Sequence, residues 1–181
     1  MPKRTRILNS TEVNKLIDTL AKRIERSLRS TRKVAFIGIK TRGEFLAKRL
    51  AKRLSKSIEV EMGTLDITLY RDDLNILQEN LVIGKSRIDF DLNNKTVVIV
   101  DDVLFTGRSV RAALDQILDM GRPASVHLAV LIDRGHRELP ICATFCGIKV
   151  KTQKTDRVEL MLKEKDGRDE AYIIEQQSRM I

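Results

Sequence analysis

Val97-Val98-Ile99-Val100-Asp101-Asp102-Val103-Leu104-Phe105-Thr106-Gly107-Arg108-Ser109 joins an apolar, β-branched run to two carboxylates and then to a short turn bearing glycine and hydroxyls. The run Thr96 to Val100 has the composition of a strand covered on both faces, as in a parallel sheet. Asp101 and Asp102 fall at its carboxyl end, where open α/β sheets bind their ligands. Thr106-Gly107-Arg108-Ser109 then leads into an amphipathic helix expected over Ser109 to Met120. A phosphate in that turn meets the unpaired N–H groups of the helix start, the positive end of its dipole and two hydroxyls. Gly107 lets backbone approach the phosphate, and Asp101 and Asp102 accept hydrogen bonds from neighbouring hydroxyls. A phosphorylated ribose has this chemistry. The competing readings are a solvated acidic turn and the magnesium site of a phosphatase. A P-loop is excluded, because the chain has no Gly-x-x-x-x-Gly-Lys-Ser/Thr.

At 181 residues and 42% hydrophobic, the chain can bury a sizeable core as a single domain over 1–181, with no composition break that would mark a linker. No apolar run is long enough to span a bilayer and the start is polar, so a cytoplasmic location without membrane contact is expected. Cys142 and Cys146, with His136 nearby, lack a fourth zinc ligand and read as reduced thiols, and no protein metal site is expected. His127, inside an expected strand, reads as a satisfied sheet residue.

Charge is lopsided. Residues 1–56 carry 17 Lys plus Arg against 4 acids, a net of +13, and the remainder carries −4. Two expected helices hold much of it. The first follows the capping candidates Ser10 and Thr11 and turns Val13, Leu16, Ile17, Leu20, Ile24 and Leu28 inward, with Lys15, Lys22, Arg23, Arg26 and Arg29 outward. The second follows Gly43, with Leu46, Ala47, Leu50, Ala51 and Leu54 inward and Lys48, Arg49, Lys52, Arg53 and Lys56 outward. A solvated face is the bland reading of such runs; attraction to RNA phosphates is the other. With aromatics at 4% and no Trp, RNA contact would rest on charge, hydrogen bonding and shape.

The elements alternate. A strand Val34 to Ile39, the loop Lys40-Thr41-Arg42-Gly43, the second helix and a strand near Glu59 to Leu65 precede a long polar stretch, 66–95, expected to form a flap, with a β-hairpin as one form of it, rather than core. The motif strand and its helix, a strand Val126 to Ile132 and smaller C-terminal strands follow. The fold class is α/β: a doubly wound parallel sheet flanked by helices, with an added flap and a small cap.

The segment 97–109 resembles the signature of type I phosphoribosyltransferases, which take 5-phosphoribosyl-1-diphosphate (PRPP) as donor. Gly38-Ile39-Lys40-Thr41-Arg42-Gly43, Leu65-Asp66-Ile67-Thr68-Leu69-Tyr70-Arg71-Asp72-Asp73-Leu74 and Ala129-Val130-Leu131-Ile132-Asp133-Arg134-Gly135-His136-Arg137-Glu138-Leu139-Pro140 narrow the resemblance to the PyrR family, pyrimidine-operon attenuation proteins with uracil phosphoribosyltransferase activity. It extends from about Ile7 to Glu175. It implies the type I fold, UMP as product, Mg2+ bound mainly through PRPP oxygens, and a homodimer or higher homo-oligomer. It also implies a basic surface that binds an mRNA leader stem-loop when UMP is bound, with no DNA partner.

Under that resemblance Asp101, Asp102 and Arg71 are the catalytic candidates. The carboxylates hold the ribose hydroxyls and favour positive charge on the ribose carbon, and Arg71 closes from the flap to exclude water. PRPP contacts are expected from Val103, Leu104, Phe105, Thr106, Gly107, Arg108 and Ser109, with Lys40, Thr41, Arg42 and Gly43 as a second anion loop for the diphosphate. Asp133, Arg134 and Arg137 are candidates for uracil and UMP, or alternatively a structural network with Glu138. Lys22, Arg23, Lys151 and Lys154 are candidates for RNA. Phe105 stands where purine enzymes carry an acid, which suits a pyrimidine. Departures at Asp18, Thr19, Lys22 and Cys142 bear on RNA binding, because an acidic Asp18 opposes phosphate. Two rivals stand beside this function: a non-catalytic UMP- or PRPP-sensing RNA-binding regulator, and a purine phosphoribosyltransferase.

Overall fold

The computed structural model describes residues 3–67 and 86–175. Its elements are β1 (Lys3–Leu8), α1 (Ser10–Leu28), β2 (Val34–Ile39), α2 (Arg42–Leu54), β3 (Val60–Leu65), β4 (Thr96–Leu104), α3 (Arg108–Met120), β5 (Ser125–Asp133), β6 (Phe145–Lys149), β7 (Arg157–Met161), α4 (Lys163–Asp166) and β8 (Glu170–Glu175). Five strands form a parallel sheet in the order β3-β2-β4-β5-β6, and β1-β8-β7 form a separate antiparallel sheet. The doubly wound architecture and the cap are as expected from the sequence.

The central strands split their side chains between two cores. Val98 and Val100 of β4 join α1 and α2 on one face, whereas Val97 and Ile99 join Ala113 and Ile117 of α3 on the other. The antiparallel sheet adds Val158, Leu160 and Ala171 to the first core. Among the described residues no helix is long and apolar enough to cross a membrane.

Several expectations are corrected. Strand β4 runs four residues past Val100, because its pairing with β5 continues through Val103↔Ile132 and Leu104↔Asp133; Asp101 and Asp102 therefore lie within the strand. Helix α1 is capped by Asn9, not Ser10 or Thr11: Glu12 N donates to Asn9 Oδ1 at 3.0 Å and Asn9 N donates to Glu12 Oε2 at 2.8 Å, a reciprocal box. Strand β1 had no apolar signal. Its pairing with β8 is supported by Arg4, whose guanidinium lies 3.9 Å from the Tyr172 ring centre, and by the ion pairs Lys3–Glu175 and Arg6–Glu170.

The centre of the expected flap, Arg71 included, lies outside the described residues. Its two ends are core. Ile67 is buried and Leu92 is 1% exposed, Ile88 and Phe90 pack beside them, and Arg87 and Thr64 exchange backbone hydrogen bonds at 2.8 and 2.9 Å. Leu92→Ala should therefore destabilise the fold by about 2–5 kcal/mol, measured by urea unfolding, where a residue in a solvated flap would cost almost nothing.

Candidate active site

The strand order reverses between β2 and β4, and a doubly wound sheet opens its ligand crevice at such a switch point, beyond the carboxyl ends of the strands. The loop 40–43 leaves β2 and the turn 105–108 leaves β4, so adjacent strands bring the two expected anion loops together. Gly43 makes this possible. A Cβ there would collide with the Val100 carbonyl oxygen, so only glycine lets α2 start against β4.

A cavity of about 440 Å³ lies between this end of the sheet and β7. Arg42, Asp102, Val103, Phe105, Arg134 and Lys154 line its sheet side and the β6–β7 loop, and Asp156, Arg157 and Glu159 close the cap side. Asp101 is buried behind this wall, where its Oδ1 accepts from Asp102 N at 2.9 Å. Leu104 is 1% exposed and its side chain belongs to the core rather than to the cavity wall. Thr41 precedes α2, Lys40 N donates to Leu65 O at 2.9 Å, and the Lys40–Thr41 peptide is cis.

The turn before α3 has the form anticipated for an anion. Gly107 adopts φ +92°, a left-handed conformation that favours glycine, and the positive end of the α3 dipole faces the turn, where Arg108 N donates to Thr106 Oγ1 at 3.4 Å and Ser109 follows. The Arg108 side chain is paired. Its Nε donates to Glu138 Oε2 at 2.9 Å, which directs the side chain along the surface.

The loop after β5 also differs from the expectation. Arg137 donates from Nη1 to Phe105 O at 2.7 Å and Gly135 O at 3.2 Å, from Nε to Ile141 O at 2.9 Å, and pairs with Asp133 at 2.6 Å. Its donors are committed to holding this loop against the β4–α3 turn, and the same loop donates from Glu138 N to Thr106 O at 3.0 Å. Arg137 and Asp133 thus pair as the alternative network anticipated, whereas Glu138 pairs with Arg108 and Lys154 instead. Arg134 is 5% exposed; it donates to Gln153 O at 2.8 Å and lies 3.9 Å above the Phe105 ring, while His136 meets that ring edge-on. Burial holds the Arg134 pKa down.

The cations assigned to RNA are scattered. Arg23 donates to Cys146 O at 2.8 Å, Lys22 borders a groove with Asp18, Glu25 and Arg53, and Lys151 lines a separate hollow with Ile173 and Glu175. Lys154 pairs with Glu138 at 3.3 Å and opens into the cavity beside Asp102. Arg49 and Arg53, expected outward, are instead part-buried and paired: Arg49 with Glu164 and Asp169, Arg53 with Asp18. Sequence reasoning missed these acidic partners and Asp166, which pairs with Arg42 at 2.8 Å. The available signal was the acid-rich run Glu164 to Glu170 in a half of the chain that balances a basic one.

The chain matches the family model described as phosphoribosyl transferase domain over residues 3–159. It is 45% identical to the bifunctional protein PyrR of Syntrophobacter fumaroxidans, over 92% of this chain and 91% of that protein. It is 48% identical to that of Deinococcus radiodurans over 93% and 92%, and 44% identical to that of Caldicellulosiruptor bescii over the whole of both. Among solved structures, a hypoxanthine phosphoribosyltransferase of Staphylococcus aureus shares the fold with a TM-score of 0.70 at 18% identity, covering 98% of this chain and 94% of that one.

Burial pushes the Asp133 carboxyl up, but the Arg137 guanidinium and the Gly135 N–H outweigh it and hold Asp133 below the usual carboxylate range. The ionised pair therefore stabilises the fold above the unfolded Asp pKa, about 3.9, and this contribution disappears as pH falls through the depressed folded value. Arg137→Met should cost about 3 kcal/mol at neutral pH and flatten the acid limb of stability against pH, followed by chemical unfolding from pH 2 to 7.

Proposed function

The chain belongs to the PyrR family of phosphoribosyltransferases, and from that premise we propose that the switch-point cavity transfers the phosphoribosyl group of PRPP to uracil, giving UMP and diphosphate. The same protein regulates pyrimidine-biosynthesis genes by UMP-dependent binding to their mRNA. The observation that carries the catalytic reading is the placement of Arg42, Asp102 and Phe105 on one cavity, with the chain running from Phe105 straight into the Gly107 turn.

In the reaction the bond from ribose C1 to the diphosphate oxygen breaks, a bond from C1 to uracil N1 forms, and the N1 proton leaves. Positive charge grows on the ribose ring while negative charge grows on the diphosphate. Asp102, on the cavity wall, and Asp101 behind it stabilise the ribose charge and accept from its hydroxyls. Thr106, Gly107 and Ser109 hold the 5-phosphate at the start of α3, fixing the reacting geometry. Lys40, Thr41, Arg42 and Gly43 receive the diphosphate. Arg71 would close over it. The Phe105 ring, backed by Arg134, offers an apolar surface to uracil, whose N–H is acidic enough to need little basic help.

Phosphoribosyltransferases generally use Mg2+ with PRPP. Among the described residues no three His, Cys, Asp or Glu side chains gather as a metal cage, while Asp102 borders the cavity. This donor set suits an ion held by one or two carboxylates and mainly by PRPP oxygens, where it would neutralise the departing diphosphate. In this reading the protein meets its mRNA partner in the cytoplasm. The exposed cations Lys22, Arg23 and Lys151 of the RNA reading, with Lys15 and Arg26 beside the first two on α1, are available for phosphate contact, and Lys154 also borders the cavity. The working unit in this reading is a homodimer or higher homo-oligomer.

The test is UMP and diphosphate formation from PRPP, Mg2+ and uracil, with hypoxanthine and guanine in parallel. Uracil-selective turnover is expected. Asp102→Asn should lower kcat by about a hundredfold yet keep UMP-dependent RNA binding; no turnover of any base by the parent protein would leave only a nucleotide-sensing regulator.

A further inference from the structure

Two arginines of α2, seven residues apart and so on one side of the helix, are each held by a carboxylate from the segment after β7. Arg42 donates from Nε to Asp166 Oδ2 at 3.0 Å and from Nη2 to Asp166 Oδ1 at 2.8 Å. Asp166 is itself anchored, because its Oδ2 accepts from Leu162 N at 2.9 Å. Arg49 is gripped alike: its Nη1 and Nη2 donate to Asp169 at 3.0 and 2.7 Å, and Asp169 Oδ1 accepts from Lys163 N at 2.8 Å. The two bridges differ in what lies beyond them. Arg42 lines the cavity that holds Asp102, and Arg49 does not.

The geometry left over at Arg42 gives the first bridge its meaning. A guanidinium carries five N–H donors in a planar fork, and the side-on pairing with Asp166 uses two of them. Three remain, including both on Nη1, which has no hydrogen-bond partner among the described residues. A long side chain released from Asp166 would sample many rotamers; held by two parallel bonds to an anchored carboxylate, it presents one fixed edge.

We infer that Asp166 is a positioning residue for the donor's diphosphate: through its bidentate bond it sets the Arg42 guanidinium against the cavity, so that a cap residue outside the parallel sheet completes the sheet's second anion loop. This rests on the reading that Arg42 meets the diphosphate. Asp166 is not a competing anion, because it occupies the side of the guanidinium that leaves the Nη1 edge available and is tied to backbone.

The experiment is steady-state kinetics of Asp166→Asn with Asp169→Asn as its matched control. Asp166→Asn should raise the KM for PRPP about tenfold, with kcat within about threefold and the uracil KM unchanged. Asp169→Asn should lower the thermal midpoint and leave the PRPP KM alone. An unchanged or lowered PRPP KM in Asp166→Asn, or an equal rise in Asp169→Asn, overturns the inference. Arg42→Gln, measured beside them, separates the two readings. If it leaves the PRPP KM unchanged, Arg42 does not meet the diphosphate; if it raises the KM and Asp166→Asn does not, only the role of Asp166 fails. The double variant should be no worse than Arg42→Gln alone. Should Asp166→Asn not fold, Asp166→Glu, which keeps the charge but displaces the guanidinium, should raise the PRPP KM, and an unchanged value there counts against the role.

Discussion

The start of α2 lies directly on strand β4, and the whole site depends on that contact. Residue 43 faces the Val100 carbonyl with no room for a side chain, so glycine is the condition for two neighbouring parallel strands to deliver their loops into one crevice. Two loops of different sequence, one charged and one built on a left-handed glycine, thereby leave adjacent strands at the same end of the sheet. The apolar β-branched interior of β2 and β4, buried on both faces, holds the strands in that register.

Electrostatics follows the same economy. The surplus of positive charge in residues 1–56 is partly met within the fold by acids of the C-terminal segment, through Arg4–Glu159, Arg6–Glu170, Arg42–Asp166 and Arg49–Asp169. The Arg49–Asp169 pair is the most enclosed of these, with side chains 13% and 8% exposed, so removing either partner would strand a part-buried charge. What remains on the surface is a smaller and more discontinuous basic field than composition alone conveys.

The sequence exposed those parts of the molecule whose causes are local. The run 96–100 could only be a buried strand, and the helices α1 and α2 were written in the 3.6-residue spacing of their leucines and isoleucines. The motif around Gly107 and the family resemblance located the crevice. Parts with distant causes were hidden. Strand β1 owes its form to β8, some 165 residues away, and its own residues show no apolar period. Arg137 looked like a reader of uracil because its acceptors are backbone carbonyls, which are invisible to residue identity. Leu92 looked like loop because one buried leucine in a polar stretch has no periodicity.

Arg137 also bears on how such a chain can change over evolutionary time. Its acceptors are the carbonyls of Phe105, Gly135 and Ile141 and the carboxylate of Asp133. Every residue type supplies a carbonyl, so these bonds do not depend on side-chain identity, although Gly135 at φ +75° and His136 at φ +60° hold a left-handed backbone that few residue types adopt. A substitution at the exposed Glu138 leaves those bonds, and its own N–H on Thr106 O, in place, so the surface of the loop can vary without moving the β4–α3 turn.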